Sequence, residues 1–193
     1  MSHYFVSDTS VESKEILINF TLNNKEISLI SDNGVFSKNK IDYGSLVLIK
    51  TLLNEPLEGK ILDYGAGIGV IGITLNLFFT DLDVSYSEIN ERALSLIKKN
   101  LEKHKLKGYI YKELEEINKF DVCLLNPPIR TGKAQIYDMY QRAYKSLKEK
   151  GVFYIVIRKD KGMLSHKTYL ESLFKKVSII NKDKGYFILK MTK

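Results

Sequence analysis

Three stretches of this 193-residue chain carry residue types that could do chemistry. In ILDYGAGIGVIGI, residues 61–73, an apolar strand pattern runs through a glycine-rich turn into helical spacing. Gly65, Gly67 and Gly69 remove side chains where a ligand would approach the backbone, and the helix start behind them presents unpaired N–H groups. Glu88 ends the next strand pattern, DVSYSE, about 20 residues further on, where a carboxylate can accept hydrogen bonds from ribose hydroxyls. The third stretch is NPPIRTGK, residues 126–133, which follows the apolar run FDVCLL. Proline has no N–H and forces the preceding residue to be extended, so neither a sheet ladder nor a first helical turn continues through Asn126, Pro127 and Pro128. Their carbonyls are left at a strand end, as a stop signal or as a tool.

The glycine turn and Glu88 together predict an adenosine-containing ligand. Taken alone, Gly67-x-Gly69-x-x-Gly72 also fits a nicotinamide or flavin dinucleotide, and Glu88 alone also fits an acid at a helix N-terminus. Asp63 adds a second acid next to the turn. A pyrophosphate tolerates that charge poorly, whereas a sulfonium cation with an amino-acid tail is attracted to it.

The elements that must hold these stretches follow from periodicity. EILINFTLNNKEISLIS alternates on both sides of Asn23-Asn24 and reads as a hairpin. DNGVFSKNKIDYG is a polar loop, with Ser45 in position to cap the helical SLVLIKTLL. From residue 60, strands and helices alternate: KILDY, GVIGITLNLFF, DVSYSE, NERALSLIKKNLEKH, GYIYK, FDVCLL, AQIYDMYQRAYKSLKEK, GVFYIVIR and LSHKTYLESLF. A hairpin, VSIINKDKGYFILKM, closes the chain. This order predicts an α/β, Rossmann-like fold. Its sheet has seven strands, mostly parallel with an antiparallel last strand, and is flanked by helices; a small N-terminal β-hairpin is added to it. One domain over residues 1–193 is expected, with a hairpin-and-loop extension over 1–45 and the ligand-binding core over 46–193. In such sheets ligands bind beyond the carboxyl ends of the strands, where the three stretches above fall.

Composition narrows the function classes. Hydrophobic residues at 44% and charged residues at 27% are ordinary globular values. The opening MSHYFVSDTS lacks an apolar core and no apolar run spans a bilayer, so a cytoplasmic protein without a membrane segment is expected. Cys123, the single cysteine, lies inside a strand pattern, and His3, His104 and His166 have no ligand spacing, so neither a disulfide framework nor a metal site is expected. The net charge of +7 suggests an anionic partner, although most of it comes from lysines at solvated helical positions. Of the four arginines, Arg130 and Arg158 follow strand patterns, where α/β proteins place ligands.

With the acid-glycine turn, the acid after the second core strand and N-P-P after the fourth in register, the chain resembles the class I S-adenosylmethionine-dependent methyltransferases that act on exocyclic amino groups. It is similar in particular to the small-domain (MTS) family of ribosomal RNA guanine-N2 methyltransferases. HYF near the start, SDNGVFSKNKIDYGS, ILDYGAGIGVIGI, SEINERAL, NPPIRTGK and the late KGY at 184–186 follow that group in order. N-P-P also occurs in similar DNA adenine and protein glutamine methyltransferases. A nicotinamide-dependent reductase and an inactive RNA-binding module remain as readings from other classes. Tyr140 is followed by Tyr144 rather than Lys, which leaves the reductase without a Tyr-x-x-x-Lys pair.

The resemblance implies S-adenosylmethionine as cofactor, S-adenosylhomocysteine as product, and ribosomal RNA or the small ribosomal subunit as partner. Cofactor contacts are expected from Asp63, Gly65, Ala66, Gly67, Glu88, Ile89, Glu113 and Asn126, with Glu115 as a neighbouring alternative to Glu113. Asn126 and Pro127 are expected to be catalytic. Both can accept N–H protons from a nucleobase amine, steering its delocalised lone pair toward a tetrahedral geometry. Pro128, Ile129, Arg130 and Lys133 are expected on the substrate side. Related enzymes often have an aromatic residue where this chain has Ile129, so base stacking worth about 1–3 kcal/mol must come from elsewhere. Phe36 is the candidate. Asp42, Gly44 and Ser45 are implied as a wall of the pocket.

Overall fold

The computed structural model describes residues 12–35 and 40–193. Asn23 and Asn24 both take positive φ, 46° and 62°, the left-handed pair that a two-residue hairpin turn needs. They join β1 (Glu15–Leu22) to β2 (Lys25–Asp32) in antiparallel register from Glu15↔Asp32 to Leu22↔Lys25. Alternation along the two strands buries Ile18, Leu22, Ile27 and Leu29 on one face.

The remaining strands form one seven-stranded sheet. In chain order they are β3 (Lys60–Tyr64), β4 (Asp83–Ser87), β5 (Tyr109–Tyr111), β6 (Phe120–Leu125), β7 (Leu147–Arg158), β8 (Lys176–Asp183) and β9 (Tyr186–Thr192). Their spatial order is β5-β4-β3-β6-β7-β9-β8. The first five are parallel, and β9 runs antiparallel to both β7 and β8. This is the expected Rossmann-like sheet with its reversed last strand. Lys184 and Gly185, at φ 43° and 81°, make the closing turn.

Helices α1 (Tyr43–Leu52), α2 (Val70–Phe78), α3 (Glu91–His104), α4 (Lys133–Ser146) and α5 (Met163–Leu173) cover the sheet. Strands β3, β6 and β7 are buried on both faces, which gives two apolar cores. One joins Leu48 of α1, Ile73 of α2 and Ile97 of α3 to the buried face of the hairpin. The other packs Tyr140 of α4 and Leu170 of α5 on Cys123 and Phe153. Cys123 is fully buried, as its apolar setting predicts, and burial holds its thiol well above the usual range. The buried Asn100 of α3 ties the hairpin to the glycine turn. Its amide pairs with both backbone groups of Ile30, at 2.6 and 3.0 Å, and donates to the Ile68 carbonyl at 3.1 Å.

Two sequence expectations change. Helical spacing over AQIYDMYQRAYKSLKEK predicts a helix to Lys150, yet α4 stops at Ser146 and Leu147 begins β7. Leu147 is fully buried opposite Phe120 and the Lys148 ammonium reaches Asp121 at 2.8 Å, so tertiary contacts outweigh the helical propensity of LKEK. The N-cap of α1 is Asp42 rather than Ser45: the Asp42 carboxylate accepts the Ser45 N–H at 3.0 Å, which places Ser45 at the third helical position.

Candidate functional site

Strand order reverses between β3 and β6, and the carboxyl ends of β3, β4, β6 and β7 open together into a cavity of about 940 Å³. The three stretches singled out from the sequence converge on its wall. Gly65, Ala66, Gly67, Glu88, Ile89, Glu113, Asn126, Pro127, Pro128, Ile129 and Arg130 all line it.

The glycine turn forms one half. Gly65, Gly67 and Gly69 sit at φ 65°, 57° and 85°, conformations that favour glycine. Their neighbours separate their roles. A Cβ at Gly69 would lie 2.7 Å from Cδ1 of Ile73, and one at Gly72 would lie 2.6 Å from Cε1 of Tyr86, so these two serve packing. A Cβ at Gly67 would meet nothing within 4 Å; its bare backbone faces the cavity. Glu88 fixes this turn from below: Oε2 accepts from Gly67 N–H at 2.8 Å and Oε1 accepts from the N–H groups of Ile89 and Asn90, both at 2.9 Å. Burial raises its pKa above the ordinary carboxylate value, and the three N–H donors oppose that rise. Ile89 beside it is 37% exposed, unusual for isoleucine, and presents an apolar face to the cavity. The open cradle, the fixed acid and this apolar face fit an adenosine.

Asp63 lies behind the turn, not on the cavity wall. It is 1% exposed, its Oδ2 accepts the Gly72 N–H at 2.8 Å, and its Oδ1 has no hydrogen-bond partner. Burial pushes its pKa up to about 7, the Gly72 N–H opposes this, and nearby Glu88 adds to it.

The other half is built around Asn126. Its Nδ2 donates to Asp42 Oδ2 and to Ser45 Oγ, both at 2.9 Å. A carboxylate only accepts, so Asp42 fixes which edge of the amide carries the NH₂ and turns Oδ1 away. Of the carbonyls freed by the prolines, that of Pro128 is taken up by Thr131, through its N–H at 3.0 Å and its hydroxyl at 2.8 Å. Asn126 and Pro127 are thus set apart from the 3-10 turn Ile129–Thr131 that follows. Arg130 is exposed on the wall. Lys133 opens α4 beside Gly162 and His166, off the wall. Glu113 lies on the wall and Glu115 does not. Phe36 falls outside the described residues.

Sequence reasoning missed several lining groups. Asp42 and Ser45, implied as a wall, do line the cavity and Gly44 does not; the Asp42 hold on the Asn126 amide carries no sequence signal. Tyr64, Asp138, Met139, Arg142 and Lys161 also line the cavity, and no local pattern marks them, while Tyr186 lines it from the KGY stretch, to which no role was given. Among the described residues no group of His, Cys, Asp and Glu could hold a metal, and no helix is long and apolar enough to cross a membrane.

A sheet of this order with a bare glycine cradle, a carboxylate after the second core strand and a pinned Asn-Pro-Pro after the fourth defines an S-adenosylmethionine-dependent methyltransferase. Residues 26–190 match the Methyltransferase small domain, and the chain belongs to that family. This replaces the nicotinamide reading that the glycine turn alone leaves open. Over 99% of its length the chain is 38% identical to the uncharacterized protein YbxB of Bacillus subtilis, of which it covers 98%. It is 29% identical, over 87% of its length, to ribosomal RNA small subunit methyltransferase C of Psychromonas ingrahamii, covering 49% of that protein. A solved T. thermophilus 16S rRNA guanine-N2 methyltransferase, RsmC, in complex with AdoMet and guanosine, superposes with a TM-score of 0.80 at 27% identity. That match covers 93% of this chain and 50% of the other. The chain therefore spans about half the length of the ribosomal RNA methyltransferases it matches.

Proposed function

We propose that this protein methylates an exocyclic amine of ribosomal RNA, guanine N2 in the small subunit, acting in the cytoplasm. The observation that carries the reading is the Asn126 amide, pinned by Asp42 and Ser45 beside the Gly67 and Glu88 cradle. The similarity to ribosomal RNA methyltransferases and the net charge of +7 support a nucleic-acid acceptor.

Gly65, Ala66 and Gly67 would hold the cofactor with their backbone, Glu88 its ribose, and Ile89 a face of its adenine, with Glu113 near the adenine amino group. Bound there, S-adenosylmethionine supplies a methyl group already activated on a sulfonium. Asn126 Oδ1 and the Pro127 carbonyl accept the two N–H protons of the acceptor amine. Held this way, the nitrogen is drawn out of conjugation and its lone pair is aimed at the methyl carbon. Positioning of this kind can supply about 7 kcal/mol or more. With the methyl group transferred, the acceptor nitrogen would be cationic and its excess proton would pass to solvent, Asn126 Oδ1 and the Pro127 carbonyl holding the N–H groups until it leaves. No strong base is required beforehand. Arg130, exposed on the wall, would meet a phosphate of the RNA backbone.

Labelled S-adenosylmethionine offered with unmethylated ribosomal RNA, assembled small subunits and release-factor protein tests the reading. Label is expected in the RNA, as N2-methylguanosine after digestion. Label in the protein fraction, or in another base, would refute the substrate assignment.

A further inference from the structure

The acceptor loop lacks an aromatic residue at Ile129, but the cavity does not lack an aromatic wall. Tyr186, the first residue of β9, lines it from the far side of the sheet together with Arg158, the last residue of β7; the two pair directly across the strands. Tyr186 is half-buried, and three neighbours set its plane. Tyr43 packs against it with ring centroids 5.5 Å apart and planes at 55°. Gly44 lets the ring approach, since a Cβ there would lie 3.0 Å from Cε1 of Tyr186. The Arg158 guanidinium carbon lies 5.9 Å from the ring centroid, and its Nε donates to Asp160 at 2.8 Å, which orients the guanidinium plane.

The same point beside Gly44 ties this ring to the amine clamp. A Cβ there would also lie 2.9 Å from Asp42 Oδ2, the oxygen that holds the Asn126 amide. One carboxylate therefore separates the ring from the group expected to hold the acceptor amine. Tyr43 is fixed in turn: its hydroxyl donates to Asp183 at 2.7 Å, and the Lys184 ammonium lies 5.3 Å from its ring centroid. Two adjacent aromatic rings, Tyr43 and Tyr186, are thus flanked by the cations Lys184 and Arg158. A negatively charged chain carrying flat bases fits such a row, because each ring offers a π-face and each cation can meet a phosphate or a base edge.

We infer that Tyr186 is the stacking platform for the acceptor base and that Arg158 donates to the edge of that base away from the amine held by Asn126. The four guanidinium donors that remain beside the Nε–Asp160 pair suit the acceptor edge of guanine, O6 and N7, which adenine does not reproduce. This inference rests on the proposed RNA N-methyltransferase function and assigns the residues that choose the base.

Tyr186→Phe, Tyr186→Ala and Arg158→Lys would be compared with the wild-type protein for KM and kcat on unmethylated ribosomal RNA. S-adenosylhomocysteine affinity would be measured by calorimetry for each. 2-Aminopurine riboside, which carries the same 2-amine, would be titrated in the presence of S-adenosylhomocysteine, with fluorescence quenching as the report of stacking. Tyr186→Ala is expected to raise KM about tenfold or more and to lose the quenching, with S-adenosylhomocysteine affinity within about twofold of wild type. Tyr186→Phe should restore both. Arg158→Lys should leave the quenching in place and weaken discrimination of guanosine over adenosine. Unchanged KM and quenching in Tyr186→Ala, with wild-type transfer to RNA intact, would overturn this inference and leave the proposed function standing. A loss of S-adenosylhomocysteine binding in Tyr186→Ala equal to its loss of RNA binding would show Tyr186 to be structural and overturn it too. Absence of transfer to RNA by the wild-type protein would remove the proposed function and this inference with it.

Discussion

The two halves of the cavity are built in different ways. The cofactor half is nearly continuous in sequence: residues 64–68 and 87–89 supply a cradle of backbone groups, and Glu88 closes it by hydrogen bonds to the backbone. The acceptor half brings together Asp42 and Ser45 from the start of α1, Asn126 to Arg130 after β6, Arg158 at the end of β7 and Tyr186 on β9. A backbone cradle depends on the absence of side chains, whereas the acceptor half depends on side chains holding one another. Damage to the first should therefore appear in cofactor affinity and damage to the second in turnover.

Asn126→Ala removes the acceptor for the amine and should have the largest effect, lowering kcat about 10²- to 10³-fold while S-adenosylhomocysteine binding stays near wild type. Single-turnover transfer to RNA beside calorimetry checks this; loss of both together would erase the distinction between the halves. Gly67→Ala puts a Cβ into the cradle at φ 57°, a conformation that costs an L-residue about 1–2 kcal/mol. S-adenosylhomocysteine affinity should fall about tenfold or more, with a Tm lower by about 2–8 °C. Retained affinity would show that the bare backbone does not meet the ligand.

Asp42→Ala should combine a modest stability loss with a turnover loss. The missing N-cap costs about 1 kcal/mol, and an unrestrained Asn126 amide should lower kcat about tenfold. Ser45→Ala keeps the cap and should lower kcat only a few-fold, so the two variants separate capping from amide orientation. The smallest effect on turnover is expected behind the cradle, where the effect is on stability. The unfolded chain releases the Asp63 proton near 3.8 and the folded chain near 7, so folding takes up a proton in that window and stability falls as pH rises through it. Asp63→Asn keeps an acceptor for Gly72. The wild-type Tm should therefore drop relative to the variant between pH 4 and 7 in calorimetric scans, and a constant difference would refute the raised pKa.

Much of the fold was legible because local rules and tertiary demands agree. Asn23-Asn24 and Lys184-Gly185 made their turns, and Gly65, Gly67 and Gly69 took the left-handed conformations that a glycine run allows. Where they disagreed, burial decided. LKEK reads as the end of a helix, but Leu147 is buried against the sheet. Asp63 reads as a ligand acid, yet the strand points it beneath α2 at the Gly72 N–H.

Sequence by itself determined the chemistry on offer: a glycine turn that can cradle a ligand, an acid one strand later, and two prolines that keep Asn126 and its carbonyl neighbours out of regular structure. These are properties of the local backbone, and spacing reveals them. Only the tertiary structure decided how the Asn126 amide is turned and which aromatic ring shares its cavity wall. Asp42 lies 84 positions away from Asn126 along the chain, and no periodicity links them. Strand order brings them together, since placing β9 against β7 sets Tyr186 beside Arg158 and packs its ring against Gly44.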